Sequence, residues 1–488
     1  MDWFSGNGPE RRGKHGIAQR CTELFALALI AITALAASAY AQRSQAARVP
    51  TGWSAEGKVI GVNGPIAPES VGVTLPHEHL FINFLEPSER LGYRLHGDIS
   101  LAAKRFFQEF GLIPVPDTPE KLAFWDRDEL DISMFALIRR DALARPFDGY
   151  SNKTIAMLDS DQDAVSEANE FRKVGGQTIV DVTVEGLGRQ PKRLARVAQL
   201  TGVNIVMGTG WYRWPFHDPD VRILSVDALA QRMIDDLTTG VHGTNVRAGI
   251  IGELPVDPTS VRISGELLSS QALGAQRTAQ YRAAADPAAR PENVFNSEEL
   301  RVLRAGARAS RATGAAMTLH YITTSLSPLD IIASEGADLR RVVVGHADSI
   351  VMEPQKAAQF LARGVFLELD YGLEFLPTVG PTSSRQSALL DALASLIKAG
   401  HADQLLLSND VCTKLQFKRY GGAGLTWLQD FVLPQLRARG VTEAQIDQIT
   451  VINPRRLLTF AKPLPLQGDR GVSSSGLRLD AVAPMTAD

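Results

Sequence analysis

Short, almost continuous runs of apolar residues, many of them β-branched, recur along the chain from residue 71 onward. Runs without polar alternation are typical of strands that are buried on both faces, as in a parallel sheet. A strand exposed on one face would instead alternate apolar and polar positions. The predicted strands cover residues 71–80, 178–184, 203–207, 247–254, 315–320, 342–346, 365–369 and 404–410.

Segments with apolar positions three or four residues apart separate these runs and predict amphipathic helices. They cover residues 192–201, 226–239, 297–313, 328–335, 354–362, 387–399 and 426–439. This alternation predicts an α/β protein with a closed (β/α)8 barrel, the TIM barrel. The barrel has an enlarged excursion at 81–170, between its first strand and its first helix, and an insertion at 255–296, after its fourth strand. An open doubly wound sheet is the alternative, but no Gly-x-Gly-x-x-Gly turn opens any of these helices.

Pro76 lies inside the first predicted strand, where it has no N–H to give to a neighbouring strand. We therefore expect Pro76 at or next to the C-terminal end of that strand, at a bulge. His77 and His79 follow it directly. Because side chains at i and i+2 of a strand point to the same face, the two imidazoles are predicted to project together.

The composition is that of a globular protein: 488 residues, 44% hydrophobic and 22% charged. This length is enough for one large barrel or for two smaller domains. The net charge of −3 and the pI near 6.3 give no reason to expect nucleic acid or an anionic membrane as a partner.

The N-terminus has the pattern of a cleaved secretory signal over residues 1–41. Four basic residues precede an apolar run at 24–37, and the small-x-small ending Ser38-Ala39-Tyr40-Ala41 follows. The run is shorter than the ~20 residues that span a bilayer, so a retained anchor is the weaker alternative. We therefore expect cleavage near Ala41, export to the periplasm or the medium, and no stable membrane anchor.

The remaining chain divides into a linker at 42–57, a barrel domain at 58–462 and a disordered tail at 463–488, which is rich in Pro, Gly and Ser. Cys21 would leave with the signal, so the exported protein would keep Cys412 alone. It would therefore have no internal disulfide.

Single imidazole or acidic residues end four more of the predicted strands: Glu253, His320, His346 and Asp410. In a (β/α)8 barrel the C-terminal ends of all strands meet at one mouth. Each residue alone could be a core histidine or a strand-end cap. Together with His77 and His79, however, they are too many ligands for one tetrahedral zinc. The set fits two divalent cations that share a bridging carboxylate, because buried carboxylates are costly unless paired or bound to metal.

Five further residues follow predicted strands on the same side of the barrel. They are Arg189 after the second strand, Trp211 and Tyr212 after the third, and Arg419 and Tyr420 after the eighth. We interpret them as candidate substrate contacts. Loop packing for the aromatic residues and a solvated basic loop for the arginines are the alternatives.

Seven stretches of the chain resemble the phosphotriesterase family of the amidohydrolase superfamily, in the same order and at the same barrel positions. They are GVTLPHEHLF at 72–81, GGQTIVDVT at 175–183, AGIIGE at 248–253, TLH at 318–320, VGH at 344–346, LSND at 407–410 and VINPRRL at 451–457. The resemblance extends from about residue 58 to residue 460. It implies that His77, His79 and Asp410 bind the more buried metal, and that His320 and His346 bind the more exposed one.

In the best-studied members of that family the bridging ligand is a carboxylated lysine, whereas this chain has Glu253, as in a related branch. A glutamate needs no carbon dioxide to bridge two metals. The resemblance implies two divalent ions, with zinc favoured and manganese, cobalt or iron as alternatives. The ions would activate a bridging water, and Asp410 would accept its proton.

The sequence thus predicts an exported binuclear-metal-dependent hydrolase of ester bonds in a small molecule. A lactone or carboxylic ester is favoured over a phosphotriester, because Glu253 replaces the lysine. The alternatives are a non-catalytic metal-binding or ligand-sensing barrel, and an amide or cyclic-amide hydrolase with the same site. A homodimer is possible.

Overall fold

The computed structural model describes residues 47–85, 118–127, 152–260, 267–370 and 384–465, with isolated positions 104, 108, 130–131, 133–135 and 138. All of them belong to one compact unit that starts at Ala47. The predicted signal and nearly all of the predicted tail lie outside the described residues, so those boundaries stay predictions. Inside the predicted linker, Ala47 and Ala55 are buried. None of the described helices has both the length and the apolar character needed to cross a bilayer.

Eight parallel strands form a central sheet, and two short antiparallel pairs lie outside it. The described strands are β1 (Val59–Gly61), β2 (Gly64–Ile66), β3 (Thr74–Glu78), β4 (Ile82–Asn83), β5 (Met157–Leu158), β6 (Thr178–Asp181), β7 (Asn204–Thr209), β8 (Ile250–Val256), β9 (Met317–Tyr321), β10 (Val342–Val344), β11 (Phe366–Leu369) and β12 (Leu405–Leu407). The order in the central sheet is β12-β11-β10-β9-β8-β7-β6-β3, and the two short pairs are β1–β2 and β4–β5.

The barrel closes between β3 and the chain that follows β12. The Ser408 hydroxyl and the Asp410 N–H both donate to the His77 carbonyl, at 2.9 and 3.2 Å. The Glu78 carboxylate, which is fully buried, accepts from the Ser408 hydroxyl at 2.7 Å and from the N–H groups of Asn409 and Val411 at 2.8 and 2.9 Å. One side chain of the first barrel strand, that of Glu78, therefore accepts three of the hydrogen bonds that close the barrel.

Alternate residues of the barrel strands belong to two separate apolar clusters, as expected when both faces of a sheet are buried. One cluster fills the inside of the barrel and includes Val180, Val206, Ile250, Val343, Phe366 and Leu406. Their neighbours pack outward against the helices and include Ile179, Ile205, Ile251, Val344, Leu367 and Leu407. The predicted (β/α)8 barrel is confirmed, and its mouth is the only end that carries the candidate ligands.

The helices surround the barrel, and most lie where the sequence predicts them. The described α-helices are Pro119–Trp125, Asp161–Lys173, Pro191–Thr201, Pro219–Ile223, Val226–Thr238, Ser270–Ala285, Pro291–Val294, Ser297–Thr313, Ser327–Ser334, Asp348–Val351, Pro354–Leu361, Ser384–Leu396, Leu433–Ala438, Glu443–Asp447 and Asn453–Leu458. The helix Asp161–Lys173 begins inside the predicted excursion and ends just after it. The sequence analysis did not predict it, because its pattern of apolar positions is weak. Asp163 and Glu167 occupy buried positions on this helix, so its inner face does not look apolar.

Replacing Glu78 with alanine should strongly destabilise the barrel, because two buried N–H groups of the turn after β12, those of Asn409 and Val411, would lose their acceptor. We expect the free energy of unfolding to fall by about 3–5 kcal/mol. Urea unfolding followed by circular dichroism measures this loss. As the control, Glu170→Ala removes a carboxylate whose partner is the exposed Lys173, and should change stability by less than about 0.5 kcal/mol. Equal losses in the two variants would contradict the role given to Glu78.

Candidate metal centre

Bulges aim the ligands of β3 and β8 into the barrel. In the pairing of β3 with β6, three residue steps from Leu75 to Glu78 oppose two steps on the partner strand. The extra residue reverses the faces, so that the outward position of Leu75 is followed by inward positions for His77 and His79. The bulge expected next to Pro76 is therefore confirmed, but Pro76 lies in the middle of β3 and not at its C-terminal end. β8 has the same irregularity between Ile251 and Leu254, with Glu253 inside it.

The Glu253 carboxylate lies at the centre of the cluster and is 3% exposed. Its Oε2 atom lies 3.4 Å from His77 Nε2, 3.3 Å from His320 Nδ1 and 3.7 Å from His346 Nε2. Its Oε1 atom lies 3.6 Å from His79 Nε2. One carboxylate thus faces imidazoles from β3, from β9 and from the end of β10.

Asp410 and His346 reach the cluster through left-handed backbone, with φ of 48° and 53°. This conformation is uncommon for residues other than glycine, although Asp and His adopt it more readily than most. The Asp410 Oδ1 atom lies 3.5 Å from His79 Nε2 and 4.0 Å from His77 Nε2. His320 Nδ1 lies 2.8 Å from His346 Nε2. The structure therefore brings all six predicted ligand residues to one point.

The outer ring nitrogens of three histidines bind partners that the sequence analysis missed. His77 Nδ1 lies 3.1 Å from Glu368, and His346 Nδ1 lies 2.8 Å from Asp370. His79 Nδ1 lies 2.8 Å from the Thr183 hydroxyl. Such partners fix the orientation of each ring, so that the opposite nitrogen faces the centre.

A signal for two of these partners was present in the sequence. Glu368 and Asp370 are two residues apart at the end of a predicted strand, the same spacing as His77 and His79. The period of two that placed both histidines on one face also places both carboxylates on one face. Both are fully buried.

The cluster attracts positive charge. Burial lowers the pKa of His77 and of His346, but nearby carboxylates, Asp370 first among them, outweigh this and raise both pKa values well above the usual range. Burial raises the pKa of Glu253, but the imidazoles, with His77 the largest influence, hold it well below its usual range. For His320 burial prevails and lowers the pKa. Carboxylates that face imidazole nitrogens in this way stabilise positive charge at the centre of the cluster.

The donor set fits divalent metal ions. Among the described residues, His77 Nε2 and Glu253 Oε2 are buried polar atoms without a hydrogen-bond partner, and both face the centre of the cluster. A buried polar atom left unpaired is costly, and a cation between the two would satisfy both. Imidazole nitrogen with carboxylate oxygen suits zinc, manganese, cobalt and iron. The ligand atoms of several three-residue groups within the cluster, such as Glu253, His320 and His346, lie within 4.8 Å of one another.

Of the predicted substrate contacts, Tyr212 lies beside the cluster. Its hydroxyl is 3.3 Å from both ring nitrogens of His320, and the two rings are 4.8 Å apart between centroids. Trp211 is buried and donates its Nε1–H to Asp218 at 3.1 Å, which is loop packing. The structure therefore places Tyr212, but not the Trp211 indole, within reach of the predicted ligands.

Three other predicted contacts are engaged in ion pairs or hydrogen bonds of their own. Arg189 is buried, bonds Asp236 at 2.9 Å and lines a cavity of about 390 Å³ that none of the six predicted ligand residues lines. Arg419 and Tyr420 both bind Asp163, at 2.8 and 2.7 Å. These pairings hold loops against helices, and a role of the three residues in substrate binding remains a prediction.

Comparison with known proteins identifies the family of this chain. The model of the phosphotriesterase family matches residues 57–285 and 285–458. The N-acetyltaurine hydrolase of Xenopus tropicalis is 28% identical over 417 residues, which cover 83% of this chain and 99% of that protein. A phosphotriesterase-related protein of Nematostella vectensis is 26% identical over 412 residues, which cover 82% of this chain and 97% of that protein.

Among solved structures, the crystal structure of a resiniferatoxin-binding protein from Rhodobacter sphaeroides superposes with a TM-score of 0.63 at 28% identity. The match covers 85% of this chain and 98% of that one. The family model spans nearly the whole barrel, from before β1 to the helix Asn453–Leu458. The chain belongs to the phosphotriesterase family of hydrolases, within the amidohydrolase superfamily.

Proposed function

We propose that this protein is a metal-dependent hydrolase that cleaves the single bond between an acyl carbon and its nitrogen or oxygen in a small molecule, with an N-acyl amide as the first candidate substrate. The observation that carries the proposal is the position of Glu253. Its two carboxylate oxygens face imidazoles from opposite parts of the barrel, His77 and His79 on one side and His320 and His346 on the other. That arrangement suits a carboxylate shared between two cations.

His77, His79 and Asp410 would hold one cation, His320 and His346 the other, and Glu253 both. Zinc is the first candidate because imidazole and carboxylate are among its usual ligands. When bound, the cations supply a water of lowered pKa and a Lewis acid for the substrate carbonyl oxygen.

Asp410 is suited to take the proton of the attacking water. Its side chain is 11% exposed, compared with 4% for Glu253, so Asp410 is the nearer of the two to solvent. It can therefore accept a proton in the site and release it to bulk water or to the leaving group. In the net reaction the water oxygen bonds to the acyl carbon, the C–N or C–O single bond breaks, and the leaving group takes a proton, which yields an acid and an amine, or an acid and an alcohol.

Tyr212 is suited to contact the substrate. Its hydroxyl lies 3.3 Å from the His320 ring, on the side of the barrel mouth formed by the loop after β7. A hydroxyl there can donate to an oxygen of the substrate while its ring packs against the rest of the molecule.

The choice of an amide first rests on the relatives that carry the name N-acetyltaurine hydrolase and align over nearly their full length. Esters and lactones, which the sequence analysis favoured, need the same attack on a carbonyl and form the second candidate class. In the family resemblance, Glu253 stands where phosphotriester-cleaving members have a lysine, which favours a carbonyl substrate over a phosphotriester.

A substrate panel decides between these classes. Purified protein reconstituted with zinc, manganese or cobalt is assayed with N-acetyltaurine, N-acetyl amino acids, aryl esters, γ- and δ-lactones and a phosphotriester. The highest kcat/KM is expected for an N-acyl amide. A lactone or ester preference would shift the proposal to the second class. Two bound metals per chain with no turnover on any of these compounds would support the non-catalytic, ligand-sensing alternative.

Export forms a separate part of the proposal and rests on the N-terminal pattern at residues 1–41. Expression of the full chain in a Gram-negative bacterium, followed by cell fractionation and N-terminal sequencing, tests it. Folded protein in the cytoplasm that still begins at residue 1 would exclude export by this segment.

Glu253→Gln should lose metal and activity together, because an amide cannot supply two anionic oxygens. We expect bound metal to fall below one ion per chain and kcat/KM to fall by more than about 100-fold. Elemental analysis and steady-state kinetics measure the two effects, with Glu170→Gln, at a carboxylate paired with Lys173, as the matched control. Added bicarbonate should leave the wild type unchanged. Activity that rises with bicarbonate would instead indicate a carboxylated lysine as the bridge.

Asp370→Asn should weaken metal binding without unfolding the barrel. The substitution removes the negative charge that faces His346 Nδ1, so the ring is oriented less firmly toward the centre. We expect metal affinity to fall by about 10–100-fold. Chelator competition followed by elemental analysis measures it. Asp391→Asn, at an exposed carboxylate paired with Arg439, is the matched control and should leave affinity unchanged.

A further inference from the structure

The loop after β7, which carries Tyr212, is held by an imidazole that none of the predicted sites includes. His217 Nε2 lies 2.6 Å from the backbone carbonyl oxygen of Tyr212. Its other nitrogen, Nδ1, lies 3.1 Å from Glu298 Oε2. The His217 side chain is completely buried. A buried imidazole with two oxygen partners is a specific arrangement rather than incidental packing.

The contact of His217 with Tyr212 has a defined direction. A backbone carbonyl can only accept, so Nε2 carries a hydrogen and donates it to Tyr212. On the other side of the ring, Nδ1 faces Glu298 Oε2, and the Oε1 atom of the same carboxylate pairs with Arg222 at 3.1 Å. Hydrogen bonds that involve an ionised carboxylate are stronger and more directional than neutral ones.

Glu298 fixes the imidazole to a rigid part of the barrel. It lies in the first turn of the helix Ser297–Thr313, where a negative charge is favoured by the helix dipole. The chain of contacts therefore runs from a 17-residue helix through Glu298 and His217 to the backbone of Tyr212. A loop residue held in this way keeps a fixed position relative to the helix.

The Tyr212 ring has little freedom once its carbonyl is fixed. It packs at 5.4 Å from the Phe216 ring and at 4.8 Å from the His320 ring, between centroids. The hydroxyl is thereby held 3.3 Å from His320. A small displacement of a group that contacts the reacting centre can lower the rate about 100-fold.

We propose that His217 is a positioning residue that, through its bond to the Tyr212 carbonyl and its anchor on Glu298, holds the Tyr212 hydroxyl in reach of the substrate. This inference rests on the hydrolase function proposed above. In that function Tyr212 touches the substrate, whereas His217 acts only through Tyr212.

The rest of the loop has supports of its own, so the loss of His217 need not unfold it. Trp211 Nε1 donates to Asp218 at 3.1 Å, and the Trp214 N–H donates to Glu299 at 2.9 Å. Glu299 follows Glu298 on the same helical turn. Removal of the His217 ring therefore frees the Tyr212 carbonyl while other points of the loop stay attached.

A double-mutant cycle tests the proposal. Tyr212→Phe, His217→Ala and the double variant are compared with the wild type for kcat and KM on N-acetyltaurine, and on 4-nitrophenyl acetate if the amide is not turned over. We expect Tyr212→Phe to lower kcat by about 10–100-fold and His217→Ala by a similar factor. The double variant should be no slower than Tyr212→Phe, because His217 has no effect once the hydroxyl is gone.

Two further variants separate positioning from general stability. His217→Gln keeps an N–H that can reach the carbonyl and should recover most of the lost kcat. His401→Ala removes an imidazole from the turn before β12, at the end of the barrel opposite the mouth, and should leave kcat unchanged. Multiplicative losses in the double variant, or a lowered Tm of His217→Ala with unchanged kcat, would overturn the proposal.

A readout independent of activity keeps the test valid if the proposed function fails. The chain has 8 tyrosines, so tyrosine-selective isotope labelling gives a small set of NMR signals, and Tyr212→Phe assigns that of Tyr212. We expect His217→Ala to shift and broaden this signal, and His401→Ala to leave it unchanged. An unchanged Tyr212 signal in His217→Ala would overturn the proposal. If His217→Ala shows the expected change in the Tyr212 signal but the wild type hydrolyses no probe, the result would count against the hydrolase function alone.

Discussion

The contact of one buried carboxylate, Glu253, with four imidazoles is the interaction on which the barrel mouth depends. Below it the barrel is filled by apolar side chains, so water cannot solvate the charges from that side. Buried charges persist only when they are paired, hydrogen-bonded or bound to ions. Glu253 and the histidines satisfy each other only in part, and two of their atoms remain without a hydrogen-bond partner within the described residues. The geometry is thus that of a site completed by cations.

Irregular backbone makes this convergence possible. Regular strands would give every second residue to the inside, which would leave His77 and Glu253 facing the helices, because Leu75 and Ile251 pack outward. One extra residue in each of β3 and β8 reverses the faces just before the ligand. His346 uses left-handed backbone for a similar purpose, at a cost of about 1–3 kcal/mol for each such residue. Hydrogen bonds around the mouth offset that strain.

The surrounding structure orients the ligands from outside. The carboxylates of Glu368 and Asp370 and the hydroxyl of Thr183 fix three imidazoles through their outer nitrogens. Glu78 binds the turn after β12, which carries Asp410, to β3, which carries His77. A helix and its Glu298 carboxylate hold the loop of Tyr212. Each group that faces the centre is therefore held by a second group that does not.

The sequence by itself determined the barrel, the order of its strands and the six candidate ligands, because apolar runs report burial and because polar residues that end such runs are conspicuous. It also contained the spacing of Glu368 and Asp370, which was overlooked. In β3 the proline Pro76 indicated the bulge, but the sequence could not determine the faces of β8, since a period of two by itself does not reveal a bulge. Nor could it determine that Arg419 and Tyr420 bind Asp163, 256 and 257 residues away in the chain. Only tertiary structure decided these points, because a side chain takes its partner from the space around it and not from its neighbours in sequence.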